Sequence, residues 1–294
     1  MQQTWGRTVK FLSFQYDGRS SWGCLRDQAI VDLGALYRQY RSLADFLSSP
    51  DFASRDSVLA RLVPTVDLSW ATFDPVIPQP EKIICLARNY MDHHREAVAG
   101  GLDRKLTDFP PIFLRLSQSV VGHQNPILLP RVSEQFDWEG ELAVIIGRAG
   151  RHIPETDAMT YVAGYSCFND GSVRDYQHHA YQITPGKNFS DSGSFGPYLV
   201  TPDELPDPLA LSLETRVNGK TMQSSNTANL IFGIAKTISY CSDIFKLVPG
   251  DVVATGTPSG VGWGRNPKVW LKAGDRVEVE IERVGLLSNQ VKAE

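Results

Sequence analysis

The sequence predicts an α+β fold that is rich in β-structure, with a small N-terminal domain ahead of a larger one. Most apolar segments are short and alternate with polar residues, which is typical of β-strands. Helical periodicity is confined to a few segments. Three prolines within residues 73–80 (FDPVIPQP) interrupt regular structure and mark a linker. We therefore predict a small domain over residues 1–78 and a main domain over residues 79–294.

The predicted elements follow from local patterns along the chain. Alternating apolar residues predict β-strands over residues 9–16, 21–25, 29–33, 82–87, 136–146, 161–168, 252–255 and 276–283. Asn218-Gly219 predicts a hairpin that joins strands over residues 211–217 and 220–222. Apolar residues at helical spacing predict helices over residues 36–47 and 229–245. A suitable N-cap and two following glycines predict a short helix over residues 93–99, and the polar residues 171–196 predict a structured loop. Short strands outnumber helices, which supports the α+β class.

Composition and charge exclude several classes of function. The 294 residues are 42% hydrophobic and 21% charged, which is ordinary for a globular protein. A formal net charge of -4 gives no electrostatic reason to expect binding to nucleic acid or to an anionic membrane. No apolar run approaches the roughly 20 residues that span a bilayer, and the first residues lack the apolar core of a signal peptide. We therefore predict a cytoplasmic protein whose four scattered cysteines are reduced core residues.

Two glutamates open the apolar strand predicted over residues 136–146. Glu139 and Glu141 are two residues apart, so their side chains share one face of the strand. Asp170 follows the strand predicted over residues 161–168 and can join them. Hard divalent cations such as Mg²⁺, Mn²⁺ and Ca²⁺ prefer carboxylate oxygens, and one such cation would offset the repulsion among these acids. The alternatives are a solvated strand face and a ligand set in which Asp137 takes part.

Basic and amide side chains follow Asp170 closely in the sequence. Arg174, Gln177 and Lys187 supply positive charge and hydrogen-bond donors near the predicted acids. A divalent cation with three carboxylates has a net charge of about -1, so an anionic substrate needs further positive charge in order to bind. The alternative is that Arg174 pairs with Asp175 at the surface, where such a pair contributes little.

A short predicted helix carries a histidine and a glutamate three residues apart. His93 and Glu96 lie close enough on a helix for the carboxylate to orient the imidazole, as in many general bases. Asp92 is a suitable N-cap, and two glycines followed by the polar residues 102–109 give the segment the composition of a lid. The alternative is a surface pair, and the adjacent His94 stays a second candidate base.

Several other catalytic motifs are excluded by their sequence context. The glycines of residues 260–264 resemble a nucleotide-binding loop, but strand patterns rather than helix patterns follow them. The sequence has no Gly-x-Ser-x-Gly nucleophile motif and no HExxH motif. Its cysteines and histidines form no set that suits zinc.

Seven segments of the sequence resemble the fumarylacetoacetate hydrolase family, in the order in which the family carries them. They are KIICLARNYMDHHREA, DWEGELAVIIGRAGRHI, YVAGYSCFNDGSVRDYQ, TPGKNF, RVNGKTMQ, NLIFGIAKTISYCSDIF and LVPGDVVATGTPSGVG. The resemblance runs from about residue 81 to the C-terminus, and the N-terminal segment is similar to the small extra domain of many bacterial members. It implies a mixed β-roll, a homodimer and the acylpyruvase-like branch of the family.

The resemblance also implies roles for individual residues. Glu139, Glu141 and Asp170 match the family's ligands for Mg²⁺ or Mn²⁺, with Ca²⁺ as a substitute. The residues assigned to substrate binding are Arg88, Arg174, Gln177 and Thr257, and those assigned to catalysis are His93, Glu96 and Lys187. The sequence departs from the family at Ala87, where many members have glycine, and in the longer segment WGRNPKVW, residues 263–270. It also lacks an evident match for the extra upstream aspartate of the animal fumarylacetoacetases, which argues against that substrate.

The resemblance, together with these residues, implies a metal-dependent hydrolase that cleaves a C–C bond of a 2,4-dioxo acid, such as an acylpyruvate or fumarylpyruvate of aromatic catabolism. The products would be pyruvate or a related keto acid and a carboxylic acid. Alternatives on the same scaffold are decarboxylation of an oxaloacetate-type β-keto acid and isomerisation of an unsaturated oxo-diacid. An alternative of a different class is a non-catalytic protein that binds a divalent metal.

Overall fold

Strands dominate the computed structural model, which describes residues 9–101, 105–205 and 207–294. Its β-strands are β1 Lys10–Tyr16, β2 Arg19–Arg26, β3 Ala29–Asp32, β4 Val66–Asp67, β5 Thr72–Phe73, β6 Ile83–Leu86, β7 Ile112–Arg115, β8 Val120–Val121, β9 Ile127–Leu129, β10 Phe136–Asp137, β11 Gly140–Ile146, β12 Val162–Asn169, β13 Ser172–Val173, β14 Gly193–Val200, β15 Ser212–Val217, β16 Lys220–Asn226, β17 Val252–Ala254, β18 Arg276–Ile281 and β19 Gly285–Ala293. Its α-helices are α1 Leu33–Leu36, α2 Leu43–Leu47, α3 Pro50–Ala53, α4 Arg55–Leu59, α5 Met91–Ala99, α6 Arg174–His178, α7 Thr184–Lys187 and α8 Ile234–Ile244. The predicted α+β, β-rich fold class is confirmed.

Two sheets carry most of the structure. The main sheet has 12 strands, with β4-β3-β2-β1-β14-β12-β11-β17-β6-β7 in order, β5 beside β1 and β8 beside β14. The second sheet has the order β16-β15-β18-β19-β9, and β10 pairs separately with β13. In the main sheet β17 runs parallel to β6 and antiparallel to β11, so the sheet is mixed.

The central strand β11 is buried on both faces. Ala143 and Ile145 pack in a core that also holds Phe11 of the N-terminal segment. The alternate residues Leu142, Val144 and Ile146 pack in a second core that includes apolar residues of β15, β18 and β19. Because both faces are covered, a slip of one residue would exchange the two sets of side chains, so the register of β11 is strongly specified.

The N-terminal segment continues the main sheet. β1 pairs antiparallel with β14, with Lys10 opposite Val200 and Phe11 opposite Leu199. Residues 74–82 contain no strand or helix, as their prolines predict. The division into domains over residues 1–78 and 79–294 stays a prediction.

The helix predicted over residues 36–47 is wrong, because two short helices lie in this region. The carboxylate of Asp32 accepts a hydrogen bond from the amide of Ala35 and caps α1, which begins at Leu33, three residues before the predicted start. The hydroxyl of Ser42 accepts from the amide of Asp45 and starts α2. These side-chain caps divide an apolar periodicity that continues across both helices.

Other boundaries also differ from the predictions. Residues 171–196 were expected to form a loop but contain β13, α6, α7 and the start of β14. The helix predicted from residue 229 begins at Ile234, because Leu230 forms a β-bridge with Tyr90 and Gly233 is an extended N-cap. The strand predicted over residues 136–146 divides into β10 and β11. β19 follows the strand that was expected to be the last, and its pairing with β18 and β9 stabilises it.

The short helix α5 starts earlier than predicted. It begins at Met91 with Tyr90 as its N-cap, and Asp92 lies in its first turn instead of capping it. Gly100 ends the helix as expected. Of the polar residues 102–109 predicted to form a loop, residues 102–104 lie outside the described part of the chain. Among the described helices, none combines the length and the apolar character that crossing a membrane requires.

Candidate active site

Three buried carboxylates meet where β11 begins and β12 ends. Glu141 lies in β11, Glu139 precedes this strand and Asp170 follows β12. The two strands pair with Gly140 opposite Asn169, and the amide of Asp170 donates to the carbonyl oxygen of Glu139 at 2.8 Å. One carboxylate oxygen from each acid lies within 4.8 Å of the others. The structure thus brings together the three acids that the sequence predicts as metal ligands.

The electrostatics of these acids suit a divalent cation. Burial raises the pKa of Glu141 well above its usual value, and the charges of Asp170 and Glu139 raise it further. Burial alone would also raise the pKa of Glu139, but the cations Lys187 and Arg174 hold it below its usual value. Glu141 is therefore harder to ionise here than Glu139, and a hard cation that takes oxygen ligands would stabilise its ionised form. An all-carboxylate donor set fits Mg²⁺ or Mn²⁺.

Two buried cations contact the acids from neighbouring helices. Lys187, at the end of α7, places Nζ 2.6 Å from a carboxylate oxygen of both Glu139 and Asp170. Arg174, at the start of α6, lies 2.7 Å from Glu139 and donates to the side-chain oxygen of Gln177 at 2.8 Å. Burial alone would lower the pKa of Lys187, but the charges of Asp170 and Glu139 raise this pKa above its usual value. These two cations offset the charge of the acids, so an anion beside the acids would meet positive charge once a divalent cation is also bound.

Asp137 lies outside the group of three acids and anchors a loop instead. Its buried carboxylate accepts hydrogen bonds from the backbone N–H groups of Gly262 at 2.7 Å and Trp263 at 2.9 Å. Arg174 donates to the same carboxylate from Nε at 2.8 Å. Arg174 thus pairs with buried acids. The alternative drawn from the sequence, a surface pair with Asp175, is not what the structure shows.

The sequence prediction missed Arg115, which donates to Oδ1 of Asp170 while Lys187 donates to Oδ2 of the same carboxylate. This buried residue ends β7 and donates to Oδ1 of Asp170 at 2.6 Å. It also donates at 3.0 Å to backbone or hydroxyl oxygens of Gly171, Ser119 and Ser192. A lone arginine at the end of the apolar segment IFLR is the signal that could have identified it, because a buried guanidinium requires a partner.

The predicted pairing of His93 with Glu96 is present. Nδ1 of His93 lies 2.9 Å from Oε2 of Glu96, and Oε1 of Glu96 accepts from the N–H of Gly260 at 2.9 Å. Asp92 accepts from the hydroxyl of Ser259 at 2.7 Å. These contacts hold α5 against the loop at residues 259–260. Because Nδ1 is engaged, Nε2 is the ring nitrogen of His93 left to act in chemistry.

A cavity of about 520 Å³ is lined both by Glu139 of the acidic centre and by His93. Its polar lining includes Glu139, Lys187, Arg174, Gln177, Arg88 and Thr257. Its apolar and aromatic lining includes Phe113, Ile183, Tyr181 and Trp263. His93 also lines the cavity, whereas the adjacent His94 does not. The hydroxyl of Thr257 donates to the carbonyl of Gly140 at 2.9 Å and accepts from Gln223 at 2.8 Å, which fixes its orientation.

The fold and the site together define a class: a strand-rich α+β protein with a buried acidic centre at the side of a ligand-sized cavity. The family model "Fumarylacetoacetate (FAA) hydrolase C-terminal" matches residues 82–292. The chain therefore belongs to the fumarylacetoacetate hydrolase family, which confirms the resemblance seen in the sequence.

Individual relatives span several reactions. The chain is 42% identical over 234 residues to oxaloacetate tautomerase Fahd2a, mitochondrial, of Rattus norvegicus, covering 79% of this chain and 73% of the relative. It superposes with a TM-score of 0.78 on fumarylacetoacetate hydrolase from Exiguobacterium antarcticum, at 34% identity over 97% of this chain and 100% of the other. It also superposes on maleylpyruvate hydrolase from Sphingobium sp. SYK-6 in complex with manganese(II) and pyruvate, with a TM-score of 0.78 at 26% identity over 97% and 99% of the two chains. The chain is accordingly an enzyme of the fumarylacetoacetate hydrolase family.

Proposed function

We propose that the chain is a divalent-metal-dependent hydrolase that cleaves a C–C bond of a 2,4-dioxo acid, such as an acylpyruvate or fumarylpyruvate. The observation that carries this proposal is that one cavity is lined both by Glu139 of the acidic centre and by His93, whose ring a carboxylate orients. The volume of about 520 Å³ supports a substrate with an acyl tail, because it lies in the range of sites that enclose ligands larger than a four-carbon diacid.

Glu139, Glu141 and Asp170 would hold the cation. Their carboxylate oxygens fit Mg²⁺ or Mn²⁺, with Ca²⁺ as a substitute. When bound, the ion supplies a Lewis acid that polarises oxygens of the substrate. The manganese and pyruvate in the complex of the maleylpyruvate hydrolase support this assignment.

The cationic and polar lining would bind the oxo-acid end of the substrate. Arg174 and Arg88 offer positive charge to its carboxylate, while Gln177 and Thr257 lie on the same lining and help to orient its oxygens. Lys187 would stabilise negative charge that develops on the 2-oxo oxygen when the C–C bond breaks. Its position 2.6 Å from two acids keeps the ammonium charged and fixed in place.

His93 would act as the general base. Glu96 holds Nδ1, so Nε2 takes a proton from water as the hydroxide adds to the distal carbonyl. The C–C bond then breaks, its electron pair forms the enolate of the keto-acid product, and the proton goes to the enolate carbon. The acyl fragment leaves as a carboxylic acid. The contacts of α5 with residues 259–260 would exclude bulk water during these steps.

Tautomerisation of an oxaloacetate-like acid is the second candidate. It is supported by the 42% identity to the rat oxaloacetate tautomerase. In this reaction Nε2 of His93 would move a proton at the carbon next to the 2-oxo group, and no bond between carbons would break. Decarboxylation of a β-keto acid or isomerisation of an unsaturated oxo-diacid would use the same stabilised enolate.

A substrate panel separates these reactions. Acylpyruvates, fumarylpyruvate, fumarylacetoacetate and oxaloacetate are incubated with the enzyme and Mg²⁺, Mn²⁺ or a chelator, and the products are identified by mass. Hydrolysis gives two organic fragments, decarboxylation gives CO₂, and tautomerisation or isomerisation gives an unchanged mass with altered absorbance. Chelation that lowers the melting temperature without any turnover in the panel would instead indicate a non-catalytic metal-binding protein.

The assembly and the compartment are part of the proposal. We expect a homodimer in the cytoplasm, although the rat relative is named as a mitochondrial protein. Light scattering during gel filtration gives the molar mass, and a monomer would contradict the first expectation. Fractionation of the source cells tests the second.

A further inference from the structure

Trp263 forms a wall of the cavity between two helices. Its ring occupies the space beside Gly100 at the end of α5, where an added Cβ would lie 2.7 Å from Cη2 of the indole. The ring of His178 in α6 lies 5.5 Å away between centroids, and Nζ of Lys268 lies 5.0 Å from the centre of the indole. The ring is therefore packed on several sides while it still lines the cavity.

The backbone of Trp263 is tied to the acidic centre through two charged side chains. Its N–H donates to Oδ2 of Asp137 at 2.9 Å, and the preceding N–H of Gly262 donates to Oδ1 at 2.7 Å. Arg174 pairs with Asp137 at 2.8 Å and with Glu139 at 2.7 Å. All three charged groups are buried, so these contacts act at low dielectric and hold their geometry firmly. The wall thus stands at a set distance from the acids.

We propose that Trp263 is a specificity-determining residue that limits the length of the acyl tail. The substrate class follows: 2-oxo acids whose tail is short enough to end at the indole face. This inference rests on the proposed function, because it takes the oxo-acid end to lie at Glu139 and Arg174. A longer tail meets the indole, which packs beside Gly100 at the end of α5 and beside His178 of α6 and would have to leave these contacts to move aside.

The test compares wild type with Trp263→Ala, and with Trp270→Ala as the matched control. Trp270 belongs to the same segment, residues 263–270, but is not part of the cavity lining. Straight-chain 2-oxo acids from pyruvate to 2-oxooctanoate are titrated by calorimetry in the presence of Mn²⁺, and kcat/KM is measured for acylpyruvates of increasing length. Melting temperatures show whether each variant is folded, and Trp263→Leu, which keeps an apolar side chain, provides a milder second variant.

We expect wild type and Trp270→Ala to stop gaining affinity at the same chain length. For Trp263→Ala, Kd continues to fall about fourfold with each further methylene, as burial of one CH₂ predicts, and for Trp263→Leu it falls less. Equal length profiles in wild type and both Trp263 variants would overturn the inference while leaving hydrolysis intact. A length profile of binding that changes in the Trp263 variants, without turnover of any acylpyruvate, would support Trp263 as the limit on tail length and refute hydrolysis. Failure of all 2-oxo acids to bind, together with no turnover of any acylpyruvate, would refute both.

Discussion

Removing the guanidinium beside Asp170 is expected to destabilise the fold. Arg115→Met keeps much of the apolar side chain but deletes the donors that reach Asp170, Gly171 and two serines. Loss of one partner of a buried ion pair costs about 3–5 kcal/mol, because the remaining charge stays buried. Lys187 still contacts Asp170 at 2.6 Å, so we expect the lower end of this range, about 3 kcal/mol.

This energy converts into a measurable change in melting temperature. An unfolding entropy of about 2.1 cal/mol/K per residue gives about 0.6 kcal/mol/K for the 294 residues. The melting temperature of Arg115→Met should therefore fall by about 5 °C. Arg115→Lys keeps the charge but lacks the branched set of donors, so it should lie between the variant and wild type.

Scanning calorimetry in the presence of a chelator measures this change without a contribution from bound metal. Arg151→Met, at an exposed arginine, is the matched control and should shift the melting temperature by less than about 1 °C. If Arg115→Met has the same melting temperature as Arg151→Met, Arg115 does not stabilise the buried Asp170 and the reasoning about this pair fails.

Three further expectations concern the site and its surroundings. His93→Ala should lower turnover by about 10²–10⁴-fold, as loss of a general base does, while His94→Ala has a smaller effect; equal losses in steady-state rates would contradict the assignment. Burial lowers the pKa of His123 to about 4. As the pH falls, the imidazole of His123 therefore gains its proton in the unfolded chain before it does so in the folded chain. Stability should therefore fall as the pH drops from about 6.5 to about 4, by at most about 3 kcal/mol, and urea unfolding of His123→Gln should show a flatter decline. Gly100→Ala should cost about 1–3 kcal/mol, because its Cβ would lie 2.7 Å from the Trp263 ring, and thermal melts should show no such cost when Trp263→Ala is also present.

Local patterns were sufficient for much of the fold. The residues of β11 alternate between two cores, as the spacing of two used for Glu139 and Glu141 requires. Asn218-Gly219 forms the predicted turn with φ angles of 52° and 75°. The helix predicted over residues 36–47 failed because periodicity does not register the side-chain caps that divide it. β19 was missed because its polar residues give little alternation and its stability comes from pairing with distant strands.

The candidate site divides in the same way. The three acids could be identified from a spacing of two residues and from the end of a strand, which are local features. Arg115 lies 55 residues from Asp170, and Asp137 lies 125 residues from Gly262, so no local pattern reveals either contact. Sequence reasoning identified the groups that contact the oxo-acid end of the substrate in our proposal, and the structure added Trp263 and the groups that hold the site in place.

A calorimetric titration with Mn²⁺ tests most directly whether the three carboxylates bind the cation. We predict that wild type binds one equivalent and that Glu141→Gln weakens binding by more than about 100-fold, since groups that merely support metal ligands already contribute about 10–100-fold. Glu155→Gln, at an exposed glutamate, is the matched control and should bind as wild type does. Unchanged affinity in Glu141→Gln would contradict a metal centre at Glu139, Glu141 and Asp170.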